Sequence, residues 1–150
     1  MTAGRQVGIH RSGTFGLGGK VVHRLGFGAM RLADPDIRGP PPADRDNSVG
    51  VARRAVELGI DFIDTADAYG FGVTEEILRE ALHPYPDHLL IATKAGHPQT
   101  RPREWVSLGR PEYLRQQCEY SLRRLRVDRI DLFSFIAWIL RPRSTTRSAS

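Results

Sequence analysis

The stretch Ala55-Val56-Glu57-Leu58-Gly59-Ile60-Asp61-Phe62-Ile63-Asp64-Thr65-Ala66-Asp67-Ala68-Tyr69-Gly70 decides the fold. Its first part closes a helix. Val49, Ala52, Ala55, Val56 and Leu58 recur at helical spacing, Asp46 is placed to cap the N-terminus, and Gly59 supplies the C-terminal stop. Ile60 to Asp64 is short and apolar, as a parallel strand covered on both faces must be. A loop beginning at Thr65 leads to a second helix over Thr74–Leu82, with Ile77, Leu78, Ala81 and Leu82 as its apolar stripe. Glu75 and Glu76 suit the positive dipole end of that helix, and Pro84 and Pro86 terminate it.

The same alternation continues on either side. Leu89 to Lys94 reads as another strand, Ala95 to Arg110 as a long loop carrying Trp105, and Pro111 as the first residue of a third helix, where a missing amide costs nothing. Leu114, Cys118, Ser121, Leu122 and Leu125 form the expected buried face of that helix. Ile130 to Phe133 begins a further strand. Upstream, Thr14 to Val22 reads as two short strands about the Gly18-Gly19 turn, and His23 to Met30 as a strand candidate. Asp34 to Asp46, with four prolines, is a loop. The Gly-Gly-Lys run is not a phosphate loop, because Thr14 stands at the first glycine position and Val21 follows the lysine. Strands alternating with helices in this way imply right-handed βαβ units and a parallel sheet. The expected fold class is therefore α/β, the first half of a (β/α)8 barrel with an N-terminal β-hairpin. Residues 1–13 are expected to be a flexible terminus, 14–133 the half-barrel, and 134–150 a basic tail foreign to it.

Composition narrows the class. The 150 residues are 40% hydrophobic and 26% charged, which suits one globular domain and excludes disordered or fibrous chains. Cys118 is the sole cysteine, so no internal disulfide forms and a reducing, cytoplasmic setting is expected. Met1 to Gly19 lacks the apolar core of a secretory signal, and the apolar run Phe133–Leu140 falls well short of the ~20 residues of a membrane span. The net charge is +5, but Ser134 to Ser150 brings three arginines (Arg141, Arg143, Arg147) and no acid. No aromatic residues interleave with those arginines, so neither nucleic acid nor membrane is an expected partner. Asp67 and Arg79 are expected surface charges, and Asp128 and Asp131 caps. The histidines lack ligand spacing, so no metal site is expected.

Three groups remain that suit chemistry. In a (β/α) barrel, reactive side chains project from the C-terminal ends of the strands. Asp64 ends one strand, Tyr69 lies five positions on in the loop, and Lys94 ends the next strand. Reducing a carbonyl delivers a hydride to carbon and a proton to oxygen. A free phenol, whose ordinary pKa is about 10, is a poor donor at neutrality. A neighbouring ammonium stabilises a phenolate, and a carboxylate holds the ammonium in place. Asp64, Lys94 and Tyr69 fit these roles as catalytic residues.

The chain resembles the aldo-keto reductases over about residues 14–133. The matching runs are Leu25-Gly26-Phe27-Gly28-Ala29-Met30-Arg31-Leu32, the Asp64-Thr65-Ala66-Asp67-Ala68-Tyr69-Gly70 segment with its preceding helix end, Ile91-Ala92-Thr93-Lys94, and Ser121-Leu122-Arg123-Arg124-Leu125 to Asp131-Leu132-Phe133. The branch most resembled is the bacterial one related to pyridoxal reductases. The resemblance implies a hairpin-capped (β/α)8 barrel that reduces aldehydes and ketones to alcohols with NADPH and without metal. It implies Tyr69 as the acid and Asp64 and Lys94 as its tuning partners. It also implies Gly28, Ala29 and Met30, together with Asp64, beside the nicotinamide of the cofactor.

Two departures from that pattern matter. The family's fourth strand runs Asp-Leu-(Phe/Tyr)-Gln-Leu-His, ending on the histidine that completes its Asp-Tyr-Lys-His catalytic tetrad, whereas Ile136 stands at that place. A full barrel also needs roughly 250 residues. A single-base deletion before codon 134 would turn a reading of Leu-Phe-Gln-Leu-His-Arg-Val-Asp-Pro-Pro into Leu132-Phe133-Ser134-Phe135-Ile136-Ala137-Trp138-Ile139-Leu140-Arg141. A frameshift truncation near residue 134 is thus expected, and with it a chain inactive alone whose open strand edges favour self-association. The alternative is a non-catalytic half-barrel that binds a protein partner. Sequencing past codon 130 separates the two.

Overall fold

The computed structural model describes residues 8–33, 44–101 and 104–136. The expected flexibility of most of 1–13, the proline-rich loop and all but the start of the basic tail lie outside those residues. The first elements are strands β1 (Thr14–Leu17) and β2 (Lys20–His23), an antiparallel pair with Thr14 opposite His23 and Leu17 opposite Lys20. Gly18 and Gly19 make the turn at φ of +58° and +82°, a region where side chains are disfavoured. The expected strand over His23–Met30 contracts to β3 (Phe27–Gly28), because Ala29–Leu32 coil into a 3-10 turn that buries Ala29 and Leu32.

Helix α1 (Arg45–Glu57) buries Ser48, Val49, Ala52 and Ala55. Its cap is Asp44, not Asp46: the Asp44 carboxylate accepts the Asn47 amide at 2.8 Å, and Asp46 lies inside the first turn. Strand β4 (Phe62–Asp64), helix α2 (Val73–Leu82) and strand β5 (Leu90–Ala95) follow. The long loop expected next contains a small antiparallel hairpin, β6 (Gln99–Arg101) and β7 (Glu104–Trp105). Helix α3 (Pro111–Leu125) begins on its proline. It buries Ser121 and Leu125 fully and leaves Leu114, Cys118 and Leu122 half-buried. Strand β8 (Leu132–Phe135) starts and ends two residues later than Ile130–Phe133, with Ser134 and Phe135 paired to Lys94 and Ala95.

The sheet runs β3-β4-β5-β8, all parallel, with Ile63 beside Phe27 and Ile91 and with Ala92 beside Leu132. Alternation along the strands divides the core in two. Ile63 and Ile91 face outward into the helices, joining Val49, Ala52, Ile77, Leu78 and Leu125. Leu90 and Ala92 face inward with Phe62 and Leu132, where Val22 and Leu17 of the hairpin cover them. The hairpin therefore closes the N-terminal ends of the strands and leaves the C-terminal ends open. Tyr85 fixes the lower end of α3 by donating to the Leu125 carbonyl at 2.8 Å. None of the described helices is long and apolar enough to cross a membrane.

Candidate active site

The C-terminal ends of β4 and β5 are tied together beyond their strand register. The Thr65 amide donates to Ala92 O at 2.8 Å, and the Asp67 amide to Lys94 O at 3.1 Å. This continued pairing holds the chain after Asp64 against β5 and brings its side chains to the Lys94 ammonium. Lys94 Nζ donates to both oxygens of Asp64, at 2.8 and 2.7 Å, and to the Thr65 carbonyl at 2.7 Å. The lysine side chain is 11% exposed and the aspartate 49%, so the cation is sheltered while its counter-ion reaches solvent.

Tyr69 opens a 3-10 turn (Tyr69–Gly72) that runs into α2. The turn requires Gly70: its φ is +59°, and a Cβ there would stand 2.4 Å from the Ala33 Cβ. The close packing sets the Tyr69 ring with Lys94 Nζ 4.9 Å from its centroid, within cation–π range. The three residues expected to act together, Asp64, Tyr69 and Lys94, are thus gathered at one rim. Tyr69 and Lys94 border a cleft of about 290 Å³ whose walls include Met30, Trp105 and Ile136. Trp105 lies parallel to His97, with centroids 5.4 Å apart and planes 7° from parallel. Ile136, at the place of the histidine expected from the resemblance, also lines this cleft, and its amide donates to Ala95 O at 2.9 Å.

Gly28, Ala29 and Met30 diverge in placement. Gly28 is exposed, and a Cβ added there meets nothing within 4 Å. Ala29 is fully buried in the helix-facing core, while Met30 borders the cleft. Among the described residues no group of three or more histidine, cysteine or acidic side chains is arranged to hold a metal ion.

Below the rim lies a polar cluster that sequence reasoning missed. Glu75 stands in the first turn of α2, as expected, but is fully buried there, accepting from Thr93 Oγ1 at 2.7 Å and from Arg124 at 3.1 Å. Asp67 is not a surface charge: it is 5% exposed and accepts from the Tyr113 hydroxyl at 3.3 Å. Burial first, and the Glu75 charge second, push Asp67 up to about 6; the bonds from Tyr113 and the Ala68 amide and the charge of Arg124 only partly oppose this. Burial and the neighbouring Asp67 push the Tyr113 phenol up as well. One signal for Glu75 was present in the sequence. With Leu78 and Leu82 it follows i, i+3, i+7 spacing, which puts it on the buried stripe of α2.

The comparison with known proteins matches this geometry. Residues 24–142 match the family model described as the aldo/keto reductase family. An uncharacterized oxidoreductase of Schizosaccharomyces pombe is 47% identical over 131 residues, covering 87% of this chain and 42% of that protein. The pyridoxine 4-dehydrogenase of Escherichia coli is 46% identical over 121 residues, covering 81% of this chain and 42% of that enzyme. The solved glycerol dehydrogenase of Gluconobacter oxydans superposes with a TM-score of 0.69 at 35% identity, over 83% of this chain and 39% of that one. The chain spans about two fifths of the length of the curated relatives it matches. The four parallel strands, their outer helices and the capping hairpin are thus part of a (β/α) barrel, and the chain belongs to the aldo/keto reductase family.

Proposed function

We propose that the Asp64–Tyr69–Lys94 rim serves the NADPH-dependent reduction of an aldehyde or ketone to an alcohol, with Tyr69 giving the proton to the carbonyl oxygen. The observation that carries this reading is the doubly held ammonium: Asp64 and the Thr65 carbonyl fix Lys94 Nζ beside the Tyr69 ring. A cation fixed beside a phenol favours the charge that develops on the ring as its proton leaves, and a preorganised partner costs nothing to reorganise at that moment. Asp64 acts through Lys94, holding it, and is the positioning member of the three.

The residues present fit a nicotinamide cofactor. Gly28 stands exposed at its strand end with open space around it, and Met30 supplies an apolar wall to the same cleft as Lys94 and Tyr69. Gly28, Met30 and the backbone of Ala29 would border the nicotinamide, with Asp64 near its edge. When bound, the cofactor supplies the hydride. Trp105 and His97 give the cleft a flat side, which suits a small planar ring such as that of pyridoxine, named for the Escherichia coli relative, carried in its aldehyde form as the compound to be reduced.

The test pairs this chain with the remaining portion of that relative's barrel, supplied as a second polypeptide, and follows NADPH consumption across a panel of aldehydes. The wild-type pair is expected to turn over and the Tyr69→Phe pair to lose turnover. Equal rates for the two pairs would remove Tyr69 from the chemistry. Unassisted, the 150-residue chain is expected to be inactive.

A further inference from the structure

The turn that presents Tyr69 is suspended between two buried carboxylates. On one side Asp67 is tied to β5 through its amide, at 3.1 Å from Lys94 O, and to α3 through the Tyr113 hydroxyl at 3.3 Å. On the other side Glu75 is tied to β5 through Thr93 and to α3 through Arg124. Between them the Tyr69 amide bonds back to Ala66 O and the Phe71 amide to Ala68 O, both at 3.3 Å, so successive turns link Asp67 to the Tyr69 backbone. One guanidinium, Arg124, faces both carboxylates, which leaves the cluster one positive charge short when both are ionised.

We propose that Asp67 is a positioning residue for Tyr69, so that gain or loss of the Asp67 proton moves the phenol relative to Lys94. The proposal deepens the reading of Tyr69 as proton donor and rests on it for its consequence in catalysis. An ionised Asp67 is repelled by Glu75 and drawn towards the Tyr113 hydroxyl and Arg124; a neutral one loses that bias. Either change is passed through two peptide units to Tyr69. The charged and titratable groups acting on Asp67 are Glu75 from α2 and Tyr113 and Arg124 from α3; Lys94 of β5, its ammonium held by Asp64, lines the same cleft. His97, beyond the end of β5, borders the same cleft. Because burial and Glu75 hold Asp67 at about 6, both of its states are populated just below neutrality.

The experiment labels the chain with fluorotyrosine, assigns the Tyr69 fluorine signal by its loss in Tyr69→Phe, and follows it from about pH 4.5 to about pH 8. The Tyr69 signal is expected to shift with a midpoint near 6 in the wild type. In Asp67→Asn that transition should vanish. In Tyr113→Phe the midpoint should rise, because a bond that favours the ionised carboxylate is gone. A transition that survives in Asp67→Asn belongs to another group and overturns the proposal, as does a Tyr69 signal that stays still in the wild type. Should Asp67→Asn fail to fold, Tyr113→Phe decides alone, an unchanged midpoint refuting the coupling. The readout needs no turnover. If Tyr69→Phe retains NADPH-linked reduction, the catalytic reading falls and the titration result stands separately.

Discussion

At the N-terminal ends of the strands, Asp61 accepts the His23 amide at 2.9 Å and has the His23 ring nitrogen at 2.7 Å, while Asp131 meets Lys20 at 2.8 Å and Arg129 at 3.0 Å. At the C-terminal ends, Asp67 and Glu75 share the reach of Arg124, and Asp64 is spent on holding Lys94. The lower face thus gives each acid its own local donors. The upper face places two buried acids near one guanidinium, that of Arg124, which is bonded to Glu75. A buried carboxylate without a full partner costs stability, and proteins keep such an arrangement where placement of a group matters more than cohesion. That division follows the known asymmetry of (β/α) barrels, in which the lower rim holds the fold and the upper rim does the chemistry.

The sharpest break of the comparison is at Tyr69. Replacing it by phenylalanine removes a hydroxyl from the cleft and leaves the ring, the Gly70 turn and the Lys94–Asp64 pair in place. Turnover in the assembled barrel is expected to fall by about 10²- to 10⁴-fold, the span of a general acid's contribution, with thermal stability unchanged. A fall in stability alongside would mean that the phenol serves packing and that the upper rim resembles the lower one.

Next in size is Glu75→Ala. The substitution strips Thr93 and Arg124 of their acceptor inside the core. Removing one member of a buried pair costs several kcal/mol; because Arg124 keeps 23% of its side-chain surface exposed, a loss of about 3 kcal/mol is expected in denaturant unfolding. Asp67 would at the same time lose its repelling neighbour, so its proton should come off at lower pH. Stability that is unchanged would show the cluster to be loosely solvated, and the contrast between the two rims would dissolve.

The reading of the sequence succeeded where periodicity carries the information and failed where distant elements meet. The hairpin, the order of parallel strands and the gathering of Asp64, Tyr69 and Lys94 all follow from local patterns: the Gly18-Gly19 turn, the apolar runs around Ile63 and Ile91, and strand ends that share one face. Asp67 looked like a solvated charge, and the burial of Glu75 at its helix end went unseen, because the partners that enclose them come from α3, whose Arg124 lies 49 residues beyond Glu75. No window on the chain contains both. Asp44 and Asp46 compete for one helix start, and the side chain that reaches the Asn47 amide wins by geometry invisible in spacing. The β6–β7 hairpin has too few residues to show alternation.

Asp67→Asn sharpens the comparison through pH. The folded-state pKa of Asp67 is raised to about 6 from 3.8. A raised carboxyl favours folding most when protonated, so this part of the stability is complete below about pH 4 and is lost as pH rises through 6. Asparagine stays neutral throughout. The variant should therefore be more stable than the wild type by about 1–3 kcal/mol at neutral pH, with the advantage gone by about pH 4. Thermal melts at the two pH values read this directly. An asparagine chain that melts lower at neutral pH would mean that the ionised Asp67 is well paired after all.

The smallest effect belongs to the lower rim and carries the opposite sign. Partial burial works against ionisation of Asp131, but the bonds and charges of Lys20 and Arg129 outweigh it and hold the carboxyl below its ordinary value. A depressed carboxyl stabilises the fold when ionised, so its contribution is present above about pH 4 and lost as pH falls through the lowered value. Lys20 is 32% exposed, so water screens the pair and Lys20→Ala should cost only about 0.5 kcal/mol at neutral pH, shrinking in high salt and in acid. Combined in one chain, Asp67→Asn and Lys20→Ala should act additively, since they sit at opposite ends of the strands with no shared partner. Their pH dependences would run in opposite directions. A double variant whose losses and gains fail to add would show that the sheet between Asp131 and Asp67 transmits charge state from one rim to the other.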